Sequence, residues 1–286
     1  MRMNKLPLSK RVQILAMLCE GSSMRSISRV ADVSINTVAK LLVEAGEACL
    51  AIHDEHVRGV KASRIQCDEI WSFCYAKEKN VATAKAAPDG AGDVWTWTAL
   101  DADSKLLLGY RVGDRDLPSA RAFISDMCDR LANRVQLTTD GLKFYLIAVE
   151  DAFGWNGVDF AQLIKVYGHE QEGTVRYSPP ECIGTDKRWV MGEPAEAHVS
   201  TSYVERSNLT MRMQMRRFTR LTNAFSKKKA NHLYAVALHT TFYNYCRPHM
   251  TLTKERGGIK TTPAMAAGLA GHVWGVEDIL NLLQGN

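Results

Sequence analysis

Residues 64–75, RIQCDEIWSFCY, constrain the fold of this chain more than any other stretch. Read with period two, Ile65, Cys67, Trp71 and Phe73 fall on one side and Gln66, Asp68, Ile70 and Ser72 on the other. Apolar residues stand on both sides, the pattern of a central strand covered by other layers on each face. The rest of the chain must therefore supply helices for two faces. An aspartate inside such a strand is costly to bury unpaired, so Asp68 asks for a cation nearby.

Downstream periodicity supplies the layers. Residues 94–100 and 106–112 read as two more strands joined at residues 101–104, which gives a three-stranded meander. A helix follows over residues 118–133, with Ala122, Ile124, Met127, Cys128 and Leu131 apolar. Residues 135–139 form a short strand ending at Asp140 and Gly141, followed by a helical stretch to Phe153 and a fifth strand over residues 161–167. Residues 76–93 and 168–200, rich in Gly, Pro and polar residues, read as loops. Ser202 is the expected N-cap of a long helix in which Val204, Met211, Met215 and Phe218 share one stripe, and Glu205, Arg212, Arg216 and Thr219 share its flank. The order β-β-β-α-β-α-β-α predicts an α/β fold of ribonuclease H-like arrangement, a mixed sheet flanked by helices. Residues 228–245 add a helix, and residues 261–286 one or two small ones.

Ahead of the sheet, residues 8–46 read as three short helices. Leu8, Val12, Leu15 and Leu18 form a stripe ending at Gly21; Ser23 caps a second helix with Ile27 and Val30 inward; Ser34 caps a third with Ile35, Val38, Leu41 and Leu42 inward, stopping at Gly46. Residues 47–62 then read as a linker extending the third helix. This is the pattern of an all-α helix-turn-helix domain, in which the start of the last helix meets base edges. Asn36, Thr37 and Lys40 are the reading candidates, with Arg25 and Arg29 placed for phosphates.

Charge points the same way. The net charge is +5, and from Arg206 to Lys229 every charged residue is Lys or Arg. A polyanion is the natural partner of such a run, so Arg206, Arg212, Arg216, Arg220 and Lys227 join the candidate DNA contacts. Seven scattered cysteines without a CxxC pair argue against a disulfide framework or zinc ribbon. No signal peptide and no apolar run of membrane-spanning length is present, so a soluble, cytoplasmic protein with no membrane partner is expected. No GxSxG, HExxH or GxxxxGK[ST] occurs, which leaves serine-hydrolase, zincin and P-loop chemistry without residues.

Carboxylates remain. The predicted arrangement would bring together Asp68 in the first strand, Asp140 at the end of the fourth and Glu205 on the helix after the sheet. Such acids are hard oxygen ligands suited to two Mg2+ ions, with Mn2+ able to substitute, clamping the oxygens of a phosphodiester. Glu69 points to the opposite face of its strand and is the weaker ligand choice. Asp101, Asp103 and Asp114 are expected in solvated turns, and His232, His239 and His249 in the core or against DNA rather than on a metal.

The segments CDEIWSF at residues 67–73, TDGL at residues 139–142, VERSNLTMR at residues 204–212 and RLTNAFSK at residues 220–227 occur in an order that resembles the transposases of the insertion-sequence-one family. The likeness runs from about residue 63 to residue 250, and NYCRPH at residues 244–249 is similar to the segment closing many transposase catalytic domains. It implies a ribonuclease H-like catalytic domain whose Asp68, Asp140 and Glu205 bind two magnesium ions, with Arg212 as the basic residue two turns after the glutamate. It also implies binding of terminal inverted repeats, 3′-end cleavage and strand transfer into target DNA, in a homo-oligomeric synaptic complex. The expected divisions are a helix-turn-helix domain at residues 1–50, a linker at 51–62, the catalytic domain at 63–225 and a helical extension at 226–286. The zinc-binding module frequent ahead of the helix-turn-helix in that family has no counterpart here, because no paired N-terminal cysteines exist to build it. Two alternatives stand beside this reading: a non-catalytic DNA-binding regulator descended from a transposase, and a ribonuclease H-like nuclease.

Overall fold

A computed structural model describes residues 6–168, 182–218 and 223–284. Three helices open the chain: α1 (Leu8–Cys19), α2 (Met24–Ala31) and α3 (Ile35–His56). Ser23 and Ser34 cap α2 and α3 by accepting the backbone N–H of Ser26 and Asn36. Between the two helices Asp32 turns the chain in the left-handed region at φ 50°. The sheet follows with β1 (Arg64–Cys74), a short α4 (Glu78–Val81), β2 (Gly92–Asp101), β3 (Leu107–Gly113), α5 (Leu117–Arg130), β4 (Gln136–Thr139), α6 (Lys143–Phe153), β5 (Asp159–Tyr167) and β6 (Cys182–Met191). Then come α7 (Ser202–Gln214), α8 (Lys229–Thr241), which runs on into a π-helical turn at Phe242–Cys246, and the short α9 (Met250–Glu255), α10 (Pro263–Ala266) and α11 (Val276–Asn281).

The six strands form one mixed sheet in the order β3-β2-β1-β4-β5-β6. β1 pairs antiparallel with β2 and parallel with β4, so the central position that its double-sided apolar pattern requires is the one it holds. One face of the sheet packs Ile65, Cys67, Trp97 and Leu137 against Phe123, Ile124 and Met127 of α5 and Tyr145 and Val149 of α6. The other packs Ile70, Leu100 and Leu107 against Val204 and Met211 of α7 and Val236 and Ala237 of α8. This second core continues without a break into α1, α2 and α3 through Leu15, Ile27, Val38 and Leu42. Asn244, at the turn after α8, fastens that layer to β3: its side chain donates to the Leu107 carbonyl at 3.0 Å and accepts the Leu107 N–H at 2.9 Å. Among the described residues, no helix is long and apolar enough to cross a membrane.

Several sequence-based expectations give way. The loop expected over residues 168–200 contains β6, which pairs antiparallel with β5. β6 is an edge strand exposed on both faces, with Asp186, Lys187 and Arg188 in its middle, so it lacks the buried face that produces a readable alternation. α3 does not stop at Gly46 but continues to His56. Gly46 instead lets α3 lie against α8, since a Cβ there would stand 2.4 Å from Cβ of Tyr234. α7 begins at Ser202, its N-cap position is Thr201, and it ends at Gln214, so Arg216 lies on a separate 3-10 turn. Val30 and Ile35 are exposed rather than inward. Asp101 is buried in the β2–β3 turn, where its carboxylate accepts the N–H groups of Asp103 and Ser104.

Candidate functional site

β1 and β4 run parallel only from Arg64↔Gln136 to Gln66↔Thr138 and then part. Beyond Gln66 the β4 side of β1 is open, at the carboxyl end of β4, where ligands enter sheets of this kind. Asp140 follows β4 directly into that opening. Here Asp68, Glu69 and Asp140 each present a carboxylate oxygen, all within 4.8 Å of one another. Alternation turns Glu69 away from Asp68, but an unpaired strand flank can be reached from both faces, which is why the residue set aside in the sequence joins the group.

The surroundings raise the pKa of all three. Burial pushes the Asp68 carboxyl up to about 6, and the charges of Asp140 and Glu205 add to it. Burial and then the charge of Asp140 push Glu69 up to about 7. Asp140 is raised by burial, with Arg115 working against the shift. Arg115 reaches from the β3–α5 loop, with its guanidinium on the Trp95 ring, to Glu69 at 3.2 Å and Asp140 at 3.9 Å. Oε1 of Glu69 is buried without a hydrogen-bond partner. Clustered hard oxygens, one buried acceptor unused and proton affinities raised by burial and then by mutual repulsion together make a donor set that fits a divalent cation such as Mg2+.

Glu205 stands in the first turn of α7 beside this group and outside it. Its Oε2 accepts from Nζ of Lys165 on β5 at 2.6 Å, and its Oε1 accepts from Oγ1 of Thr201 at 2.5 Å. The end of α7 is pinned to β1 by Gln66, whose Oε1 accepts the N–H groups of Tyr203 and Val204 at 2.9 and 3.0 Å. One helical turn after Glu205, Asn208 is buried between Thr98, which donates to its Oδ1 at 2.9 Å, and Asp68, whose Oδ2 accepts its amide at 2.8 Å. Gln162 holds the Asp140 turn by donating to the Asp140 carbonyl at 2.8 Å. Sequence reasoning missed Gln66, Asn208, Gln162 and Arg115, because their partners are remote in the chain: Gln66 and Val204 are 138 positions apart.

The candidate DNA contacts divide. Arg25 on α2, Asn36 at the start of α3, Arg216 after α7 and Lys227 before α8 line one cleft. Thr37 and the exposed Lys40, Arg206 and Arg212 lie outside it, and Lys40 pairs with Glu44 at 3.8 Å. Arg220 falls outside the described residues. His232 and His239 are core residues whose pKa burial lowers to about 3.

No family model matches this chain, and no curated protein matches it. Among solved structures, the piggyBac transposase synaptic complex with hairpin DNA, determined by cryo-EM, aligns over 97% of this chain and 70% of that one, at 7% identity and a TM-score of 0.38, too low to place the chain in a fold family.

Proposed function

We propose that this chain is a magnesium-dependent DNA transposase of the DDE kind, as its resemblance to the insertion-sequence-one transposases implies. One observation carries the reading: three carboxylates crowd the point where β1 and β4 part, with Glu205 facing them from α7. In this reading Asp68, Asp140 and Glu205 hold the ions, with Glu69 beside them. Bound there, divalent ions supply a lowered pKa for an attacking water or 3′-hydroxyl and stabilise the leaving oxygen. The chain's own residues orient the site. Asn208 fixes the rotamer of Asp68, Gln66 sets the end of the helix bearing Glu205, and Arg115 offsets the charge of Glu69 and Asp140. Arg206, Arg212, Arg216, Arg220 and Lys227 hold phosphates, an attraction that weakens as salt rises. The helix pair α2–α3 is the helix-turn-helix that reads the terminal repeats, with Asn36, Thr37 and Lys40 toward base edges and Arg25 on the backbone. Two ends brought together make a homo-oligomer the working form.

The test is transposition in cells of a marker flanked by the DNA bordering this gene, with the chain supplied in trans. Jumps should occur with the native chain and vanish in Asp68→Asn, Asp140→Asn and Glu205→Gln. Absence of jumps from the native chain, while the purified protein binds those flanks and leaves them uncut in Mg2+, would replace this reading with that of a DNA-binding regulator.

A further inference from the structure

The cleft shared by α2, α3, the end of α7 and α8 has a volume of about 600 Å³, within the ~300–1,000 Å³ range of sites that enclose small molecules. That is far more room than a single phosphate needs. Its walls are apolar where Met24, Ile35, Leu42, Met215 and Leu238 meet, and Arg25, Arg216, Arg217 and Lys227 line it with no carboxylate among the described lining residues. Among the described residues, Arg217 has no ion-pair partner. Its guanidinium donates to Oγ of Ser226 at 2.7 Å. A desolvated guanidinium held this way favours an anion, which the cleft can admit. Deeper in, His239 is 3% exposed, lines the cleft, and has no hydrogen-bond partner at either ring nitrogen.

An occupant must therefore join an anionic group to a body with apolar faces and a polar edge. A nucleotide has all three. In a stacked duplex the faces of the base are hidden, so only an unpaired nucleotide presents them together with its phosphate. We propose that this cleft receives one unpaired nucleotide of bound DNA, with the phosphate on Arg216, Arg217 and Lys227, the base between the apolar walls, and its edge toward His239. The proposal rests on the DNA-binding reading and adds to it a pocket for a base taken out of the helix.

The full chain is titrated by fluorescence anisotropy with two probes, a short duplex carrying one unpaired adenosine and the same duplex fully paired. The expected result is about tenfold tighter binding of the first, in the range by which a single enclosed base changes affinity. Ala224→Trp and Ala235→Phe, each of which adds bulk to the lining of the cleft, should remove that preference and leave affinity for the paired duplex unchanged, with thermal melts identifying whichever variant folds normally. Equal binding of both probes by the native chain overturns the nucleotide pocket and leaves DNA binding standing. A preference that survives filling places the nucleotide elsewhere and also overturns it. Failure to bind either probe removes both readings.

Discussion

Nζ of Lys165 lies 2.6 Å from Oε2 of Glu205, so a protein cation occupies the flank of the acidic site. Burial pulls the pKa of this ammonium down, but the hydrogen bond and charge of Glu205 outweigh it, and the net shift is upward. Any divalent ion that engages Glu205 must compete with this amine. Lys165→Met should therefore tighten Mn2+ binding, and because both partners are about one-third exposed the gain is modest, about two- to fivefold. Manganese titration followed by electron paramagnetic resonance checks this; unchanged or weaker binding would show that Lys165 does not guard the site.

Glu69 should matter to metal and to stability in opposite directions. Glu69→Gln removes a carboxylate from the cluster and is expected to weaken Mn2+ binding by about tenfold. The same change relieves a buried charge whose carboxyl is already pushed up to about 7, so the metal-free variant should be more stable than the native chain by about 1–3 kcal/mol at pH 7.5. Isothermal titration and urea unfolding on one preparation read both effects, and a variant that loses neither affinity nor repulsion would remove Glu69 from the site.

Acid should destabilise this protein through its buried histidines. His53, His232 and His239 have folded pKa values lowered to about 3 against an ordinary 6.5, so each stabilises the fold fully above pH 6.5 and loses that contribution as pH falls. Asp68 and Glu69 run the other way. Their folded values near 6 and 7 exceed the unfolded ones, so their protonation favours the fold as pH drops through those values. From pH 6.5 to 5.5 the histidines together remove about 3 kcal/mol and the carboxyls restore about 2 kcal/mol, which leaves a net loss of about 1 kcal/mol. Metal-free urea denaturation at the two pH values measures it, and stability that rises on acidification would contradict the burial of these imidazoles.

At Gly46 two effects compete. Alanine is the better helix former by about 1 kcal/mol, but its Cβ would stand 2.4 Å from Cβ and 2.7 Å from Cα of Tyr234. Helix α8 would have to shift, at a cost of about 1–3 kcal/mol or more. Sterics win, so Gly46→Ala should lower the melting temperature rather than raise it.

What the sequence disclosed follows a physical rule. The double-sided apolar pattern around Asp68 required a central strand, and the structure has it between β2 and β4; of the expected stripe, Val204 and Met211 are buried on α7 as their spacing demands, while Met215 and Phe218 are buried beyond its end. These are short-range periodicities imposed by a core. Gly46 misled because a glycine's need for space looks, in one dimension, like a helix stop. Alternation does place Glu69 on the face opposite Asp68; what it could not show is that β1 has no β4 partner at that point, so both carboxylates reach the same opening. Asn208, Gln66 and Arg115 were silent because a buried hydrogen bond across the fold leaves no local pattern.

At its far end α3 is clasped by Arg130 of α5, which donates to the carbonyls of His53 and Val57 at 3.2 and 3.1 Å. With 22 residues the helix is about 33 Å long, and between its ends Gly46 seats it directly on α8. The Asn36 end of α3, proposed above to read DNA, and the layer that carries the acids are thus joined by a strut instead of a tether. Under the proposed function such a chain would work as a caliper: the number of base pairs between the sequence it grips and the bond it cuts would be set by the length of a helix, and a DNA end displaced by even one step would be presented with the wrong phosphate.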